Sequence, residues 1–155
     1  MQKKRKVLYV ILAVYIVVLL RIVFYRFFYY GISALYNGEL KLTDGINLIP
    51  FVNMFSSYSN VSSTVGYFNL FGNVAIFIPL GIFLQLFRKN KRIAPCLVWV
   101  FVATLAIELL QLLTGLGIFD VDDLILNFSG GVIGILVYRL LLRLVHDGKH
   151  KSDFG

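Results

Sequence analysis

Charged residues are scarce in this chain. They make up 15% of its 155 residues, where an ordinary soluble domain has about a quarter. Hydrophobic residues make up 59%, and a domain of this size has too little interior to hide them from water. That excludes an ordinary water-soluble fold and makes lipid the solvent for most of the chain. Cysteine is nearly absent. Cys96 stands alone inside an apolar run, so an internal disulfide is excluded and the thiol reads as a small packed side chain. There is no P-loop, no G-x-S-x-G and no H-E-x-x-H, so the chemistries those patterns mark have no anchor here. Internal repeats and low-complexity tracts are also missing.

What is present is a set of long apolar runs. A hydrocarbon core of about 30 Å needs roughly 20 mostly apolar residues as helix. Four runs meet that length, at about 7–30, 67–87, 93–113 and 123–145. The first follows Lys3, Lys4, Arg5 and Lys6, as a signal peptide would. Its apolar stretch is too long for a signal core and no small-x-small cleavage site follows, so it reads as an uncleaved span. The expected architecture is an all-α integral membrane protein, a single domain built as a four-helix bundle.

The formal charge of +7 is not spread over a face. It sits in blocks: the N-terminal tail, Arg88-Lys89-Asn90-Lys91-Arg92, and Arg139, Arg143, Lys149 and Lys151 near the C-terminus. If the four runs alternate in direction, every basic block falls on one side, which the positive-inside rule makes cytoplasmic. Both termini are then inside. The blocks carry no recognition motif, so nucleic acid is not an expected partner; membrane lipids are. A long outer connection, residues 31–66, joins the first two spans, and connections of this length are usually functional or disordered. Its apolar stretch from Ile46 to Phe55 suits an interfacial or re-entrant segment. Asn60-Val61-Ser62 within it matches a short glycosylation sequon.

Ionisable groups within a span are costly and mark function by default. Helical rise places Glu108 about 8 Å below the outer end of the third span and Arg21 about 21 Å from the inner boundary. Gln111 shares a face with Glu108, and Asn69 shares one with Asn73 in the second span. Asp120, Asp122, Asp123 and Asn127 stand at the entrance of the fourth. Every span thus brings polar groups to one layer in the outer half, which predicts a polar cavity opening outward. Arg139 and Arg143 can snorkel to the inner surface. A structural reading stands beside this one. Arg21 and Glu108 would neutralise each other, and the aspartates would cap the fourth helix. Both readings expect an Arg21–Glu108 pair.

Other features read structurally. Gly130-x-x-x-Gly134 permits close helix approach, and Pro79 with Gly81 predicts a kink in the second span. His146 and His150 have the spacing of a ligand pair on a helix, but two histidines in a basic tail do not make a metal site. No metal or cofactor is expected.

These residues resemble the VanZ-like family. Asn47-Leu48-Ile49-Pro50-Phe51 is similar to its NLIPF signature, and Asn73 with Phe77-Ile78-Pro79-Leu80-Gly81 to its N-x-x-x-F-x-P-L-G motif. Glu108-Leu109-Leu110-Gln111 resembles its E-x-x-Q. Phe119-Asp120-Val121-Asp122-Asp123, Asn127 and Gly130-Gly131 resemble its acidic and glycine block. Order and spacing agree from about residue 47 to the end of the fourth span. One position departs: where members often carry an arginine before the acidic block, this chain has Gly117, which leaves Arg21 or Arg26 to pair with the acids.

The resemblance implies a bacterial cytoplasmic membrane protein associated with resistance to glycopeptide antibiotics of the teicoplanin type. It does not give a reaction. The leading expectation is a non-enzymatic protein whose outer cavity binds an amphiphile, either a lipid-linked cell-wall precursor or a lipoglycopeptide tail. Arg21, Asn47, Asn69, Asn73, Glu108, Gln111, Asp120, Asp122, Asp123 and Asn127 are the candidate ligand-binding residues. The alternative is an intramembrane enzyme acting on a lipid-linked envelope substrate, with Glu108 and Asp120 or Asp123 as its acid and base. A transporter or an assembly partner is a third reading. No chain of charges crosses the membrane, which counts against proton-coupled transport.

Overall fold

A computed structural model describes residues 2–24, 46–51, 63–88, 92–113 and 119–152. The order of elements is α1 (Gln2–Val23), β1 (Ile46–Asn47), α2 (Ser63–Phe87), α3 (Ala94–Leu113), β2 (Phe119–Asp120) and α4 (Val121–Ser152). All four helices are long and apolar enough to cross a membrane, over Arg5–Val23, Leu70–Phe87, Ala94–Leu113 and Val121–Val145. Helix is the element such runs must form, because backbone polar groups in hydrocarbon have to be satisfied within the segment. Pro79 lies inside α2, a position that neighbouring helices make tolerable in a membrane.

The helix ends differ from the sequence expectation by a few residues. The first span was expected to reach Tyr30; α1 is described over Gln2–Val23, with the Phe24 N–H on the Leu20 carbonyl at 2.8 Å, and residues 25–30 of that expectation lie outside the described residues. Residues 25–45, 52–62, 89–91 and 114–118 lie outside the described set, and with them Arg26, Gly117 and the sequon. The side chains of Asn69, His146 and His150 lie outside it too. The two-residue strands are an addition to the expected all-α fold. They pair in parallel, Ile46 beside Phe119 and Asn47 beside Asp120.

Contacts between helices fix their directions. Tyr9 near the start of α1 stacks on Phe87 at the end of α2, with ring centroids 5.0 Å apart. Further along, Leu19 meets Phe77, joined by Ile107 of α3. Near the end of α1, Val23 accepts a hydrogen bond from Gln111 of α3. The helices therefore alternate in direction, and one end of the bundle gathers the end of α1, the start of α2, the end of α3 and the start of α4.

Two apolar clusters fill the interior. Leu19, Phe77 and Ile107 form one, flanked by Tyr15, Val23, Ile76 and Leu80. Cys96, Val100 and Ile135 form the other, flanked by Leu84, Ile93, Leu97 and Phe128. The tightest helix pair is α2 with α4. Gly81, Gly130 and Gly134 bring the two backbones together: a Cβ on Gly81 would overlap the Gly131 carbonyl, on Gly130 that of Val74, and on Gly134 that of Ile78. Outward, the helices show Val14, Val17, Phe71, Trp99, Leu136 and Leu144. Such a surface would aggregate in water and suits lipid.

Helix α1 is held more lightly, with only 6% of its spanning residues buried. Besides the Gln111 bond to its last carbonyl, it is tied by the Tyr15 hydroxyl, which donates to the Ile76 carbonyl of α2 at 2.8 Å. Tyr15→Phe keeps the ring against Phe83 and removes only that bond. It is expected to lower stability by about 0.6–1.7 kcal/mol, the range of such bonds between membrane helices. Denaturant-induced unfolding in mixed micelles measures this. A larger loss would mean that the hydroxyl does more than tie α1 to α2.

Candidate functional site

The site is built where α4 begins. Asp120 is the residue before its first turn, and its Oδ1 accepts from the Asp122 N–H at 2.9 Å, as an N-cap does. Asp122 and Asp123 follow in the first turn, where carboxylates favour the helix dipole. These roles are local and follow from the sequence. The longer-range bonds do not.

Asp120 Oδ1 also accepts from the Asn47 side-chain amide at 3.0 Å. Asn47 Oδ1 in turn accepts from the Ile49 N–H at 3.2 Å. The Phe51 N–H donates to Asp122 Oδ1 at 2.6 Å. Phe51 has φ 67°, a left-handed conformation that is costly for a bulky residue. Pro50 before it and the Asp122 bond on its own N–H hold it there. The 46–51 segment is thereby clasped onto the acidic block through both a backbone ladder and side chains.

Below the clasp lies Glu108. Its carboxylate is 1% exposed and its Oε2 accepts from the Asp120 N–H at 3.2 Å. One strand thus links Asn47 to the carboxylate in α3. On the other side, Asn73 of α2 donates to Asp123 Oδ1 at 2.5 Å, bridging α2 to α4 beside the same space. Gln111, one turn beyond Glu108, donates to the Val23 carbonyl at 3.4 Å. That carbonyl belongs to the last residue of α1.

These groups surround a pocket of about 550 Å³, within the range of small-molecule sites, about 300–1,000 Å³. Its polar lining is Asn73, Glu108, Gln111, Asp123 and Asn127. Its apolar lining is Ile22, Val23, Ala75, Ile76, Phe77 and Ile107, with Gly72. Asn127 is 5% exposed and its Oδ1 has no hydrogen-bond partner among the described residues. Buried polar atoms are normally satisfied, and this unsatisfied one belongs to a residue that lines the pocket.

The candidate residues therefore fall into groups. Asn73, Glu108, Gln111, Asp123 and Asn127 line the pocket. Asn47, Asp120 and Asp122 form the clasp beside it. The expected Arg21–Glu108 pair is absent: Arg21 is exposed on α1, and no ion pair joins it to Glu108 among the described residues. Ile22 and Val23 of α1 line the pocket at this depth instead, and Glu108 is held by a neutral peptide N–H. The sequence reading missed the apolar wall and the Val23 carbonyl. It also missed Gln85, fully buried in the other half of α2, whose amide reaches the Arg92 carbonyl at 3.5 Å.

Among the described residues no cluster of His, Cys, Asp and Glu is able to hold a metal ion. A pocket with acceptors at one end and aliphatic walls can bind a ligand that is polar at one end and apolar along its length.

Comparison with known proteins gives a family and a relative. A family model described as VanZ/LLP1 matches residues 12–143. Protein VanZ of Enterococcus faecium is 30% identical over 143 residues, covering 92% of this chain and 79% of that protein. No solved structure matches.

Proposed function

The chain belongs to the VanZ/LLP1 family, and from that premise we propose that it is a bacterial cytoplasmic-membrane protein that confers or modulates resistance to glycopeptide and lipoglycopeptide antibiotics. It does so without chemistry, by binding an amphiphile in the pocket at the start of α4. The amphiphile is a lipid-linked cell-wall precursor or the lipid tail of an antibiotic. Both termini are cytoplasmic and the pocket opens toward the outer face.

One observation carries this reading. Helices distant in sequence converge on a single pocket whose hydrogen-bonding groups (Asn73, Glu108, Gln111, Asp123, Asn127) stand beside a wall of Ile22, Val23, Ile76, Phe77 and Ile107. The sidedness is supported by Arg5, Lys6, Arg88 and Arg92, which lie at helix ends away from the pocket, as cytoplasmic anchors would.

The reading is tested in a teicoplanin-sensitive host that lacks a family member. Expression is expected to raise the teicoplanin concentration needed to stop growth. Glu108→Gln and Asp123→Asn are each expected to return it toward the control while the protein still accumulates in the membrane. Unchanged resistance in both variants at normal membrane levels would remove the core of the reading.

A second reading is favoured by the carboxylates themselves. Glu108 and Asp123 line one pocket, and the Asp120 N–H sits on Glu108. Converging carboxylates are what acid–base chemistry on a lipid-linked envelope substrate would need. Covalent change in envelope lipids on expression, lost in Glu108→Gln, would favour it over simple binding.

A further inference from the structure

The described polar lining of the pocket favours one class of ligand group. Its described lining contains Glu108 and Asp123 and no lysine, arginine or histidine. Glu108 is almost wholly buried, and its described partner is a neutral peptide N–H. Arg21, the nearest described cation along α1, is exposed. The amide donors at hand are already engaged, Asn73 with Asp123 and Gln111 with the Val23 carbonyl. What remains on offer is an acceptor: Asn127 Oδ1, buried, lining the pocket and without a partner among the described residues.

With no cation beside it among the described residues, a buried carboxyl is costly to keep ionised in a membrane, and an unsatisfied buried carbonyl is costly too. One ligand group removes both costs. We infer that the pocket recognises its amphiphile through a positively charged hydrogen-bond donor, a primary ammonium, facing the Glu108 carboxylate and Asn127 Oδ1. This inference rests on the amphiphile-binding reading above and narrows it. An ammonium supplies three N–H donors and a full positive charge. A phosphate or pyrophosphate supplies acceptors and negative charge, so it cannot sit at this end without facing Glu108. The phosphate of a lipid-linked precursor therefore lies elsewhere, and an amine-bearing part of an amphiphile occupies the polar end. The apolar chain follows Ile22, Val23, Ile76 and Phe77.

The test uses the full chain in nanodiscs of zwitterionic phosphatidylcholine, with radiolabelled dodecylammonium, dodecanol and dodecyl phosphate as probes. Binding is measured above that of empty discs. Dodecylammonium is expected to bind saturably and about ten- to a hundred-fold tighter than dodecanol, the scale of one charge-assisted hydrogen bond. Dodecyl phosphate is expected not to compete. In Glu108→Gln the preference for ammonium over dodecanol falls to near parity, and in Asn127→Asp it rises. The wild-type ranking of the probes needs no variant to fold. Phosphate binding as tight as ammonium, or an undiminished ammonium preference in Glu108→Gln, overturns the head-group assignment and leaves amphiphile binding standing. If no probe binds above empty discs, both fall.

Discussion

Gly134→Leu is expected to prevent the protein from reaching its folded state in the membrane. A Cβ at Gly134 would overlap the Ile78 carbonyl and lie 2.9 Å from its carbon and 3.1 Å from the Ile82 nitrogen. These are backbone atoms of α2, so no side chain can swing away. Overpacking a core by a methylene or two costs about 1–3 kcal/mol where side chains can give, and backbone against backbone costs more. The helices would have to part along the seam that also holds Gly81 against the Gly131 carbonyl and Gly130 against that of Val74. Parting them breaks the Asn73–Asp123 bridge and opens the pocket wall. Alanine substitutions along the chain give a graded check. Gly72 has nothing within 4 Å, so Gly72→Ala is expected to be neutral or slightly stabilising, since alanine is the better helix former. At Gly131 a Cβ would meet the side chain of Val100, which can yield partly, so an intermediate loss is expected. Gly81→Ala, Gly130→Ala and Gly134→Ala should lose most. Heating detergent-solubilised protein and following the monodisperse fraction by size exclusion ranks them. Equal stability of Gly134→Ala and Gly72→Ala would refute the backbone contact.

Asp120→Ala is expected to release the 46–51 segment while leaving the four helices in place. One carboxylate oxygen serves two donors, the Asn47 amide and the Asp122 N–H. Its loss removes the cap of α4 and the side-chain anchor of β1 together. A hydrogen bond to a charged group is worth about 1.5–3 kcal/mol and a cap about 1 kcal/mol; because one atom makes both, about 2–3 kcal/mol is a fair sum. Amide hydrogen exchange in detergent reads this directly. Protection of the Ile49 and Phe51 N–H groups should fall by about 30- to 150-fold, while amides in the middle of α2 and α4 keep theirs. Asp122→Ala is the contrast. It removes only the acceptor of the Phe51 N–H, so Phe51 should exchange faster while Ile49, held by Asn47, changes little. Unchanged protection in Asp120→Ala would mean that the parallel pairing of β1 with β2 holds the segment unaided.

Parts of this arrangement were legible before any coordinates. The capping role of the acidic block was, because a cap involves an aspartate and the two residues after it. The possibility of a close helix seam was legible from Gly130-x-x-x-Gly134, since small residues four apart lie on one face. The partner of that seam was not. Nothing local to α4 says that Val74 and Ile78 carbonyls will fill the space the glycines leave. Arg21 shows the same limit. Its depth along α1 matched that of Glu108, which made the pair an attractive expectation. Depth fixes only one coordinate of a side chain on a helix, however. Which way it faces depends on which neighbour the helix packs against, and α1 packs on α2 through Tyr9, Tyr15 and Leu19. That leaves Arg21 exposed and brings the half-buried Val23, with the more exposed Ile22, to the pocket.

The sequence by itself determined the four apolar helices and the clustering of polar residues toward one set of helix ends. Those follow from run length against bilayer thickness and from rise per residue, both local quantities. Only the tertiary structure decided that 46–47 pairs with 119–120, that Glu108 rests on a peptide N–H and not on an arginine, and that Asn127 is left with an acceptor to spare. Each of these depends on helix rotation and on contacts between residues far apart in the chain. The glycine seam sets the rotation of α2 against α4, because only the glycine-bearing faces allow their backbones to touch.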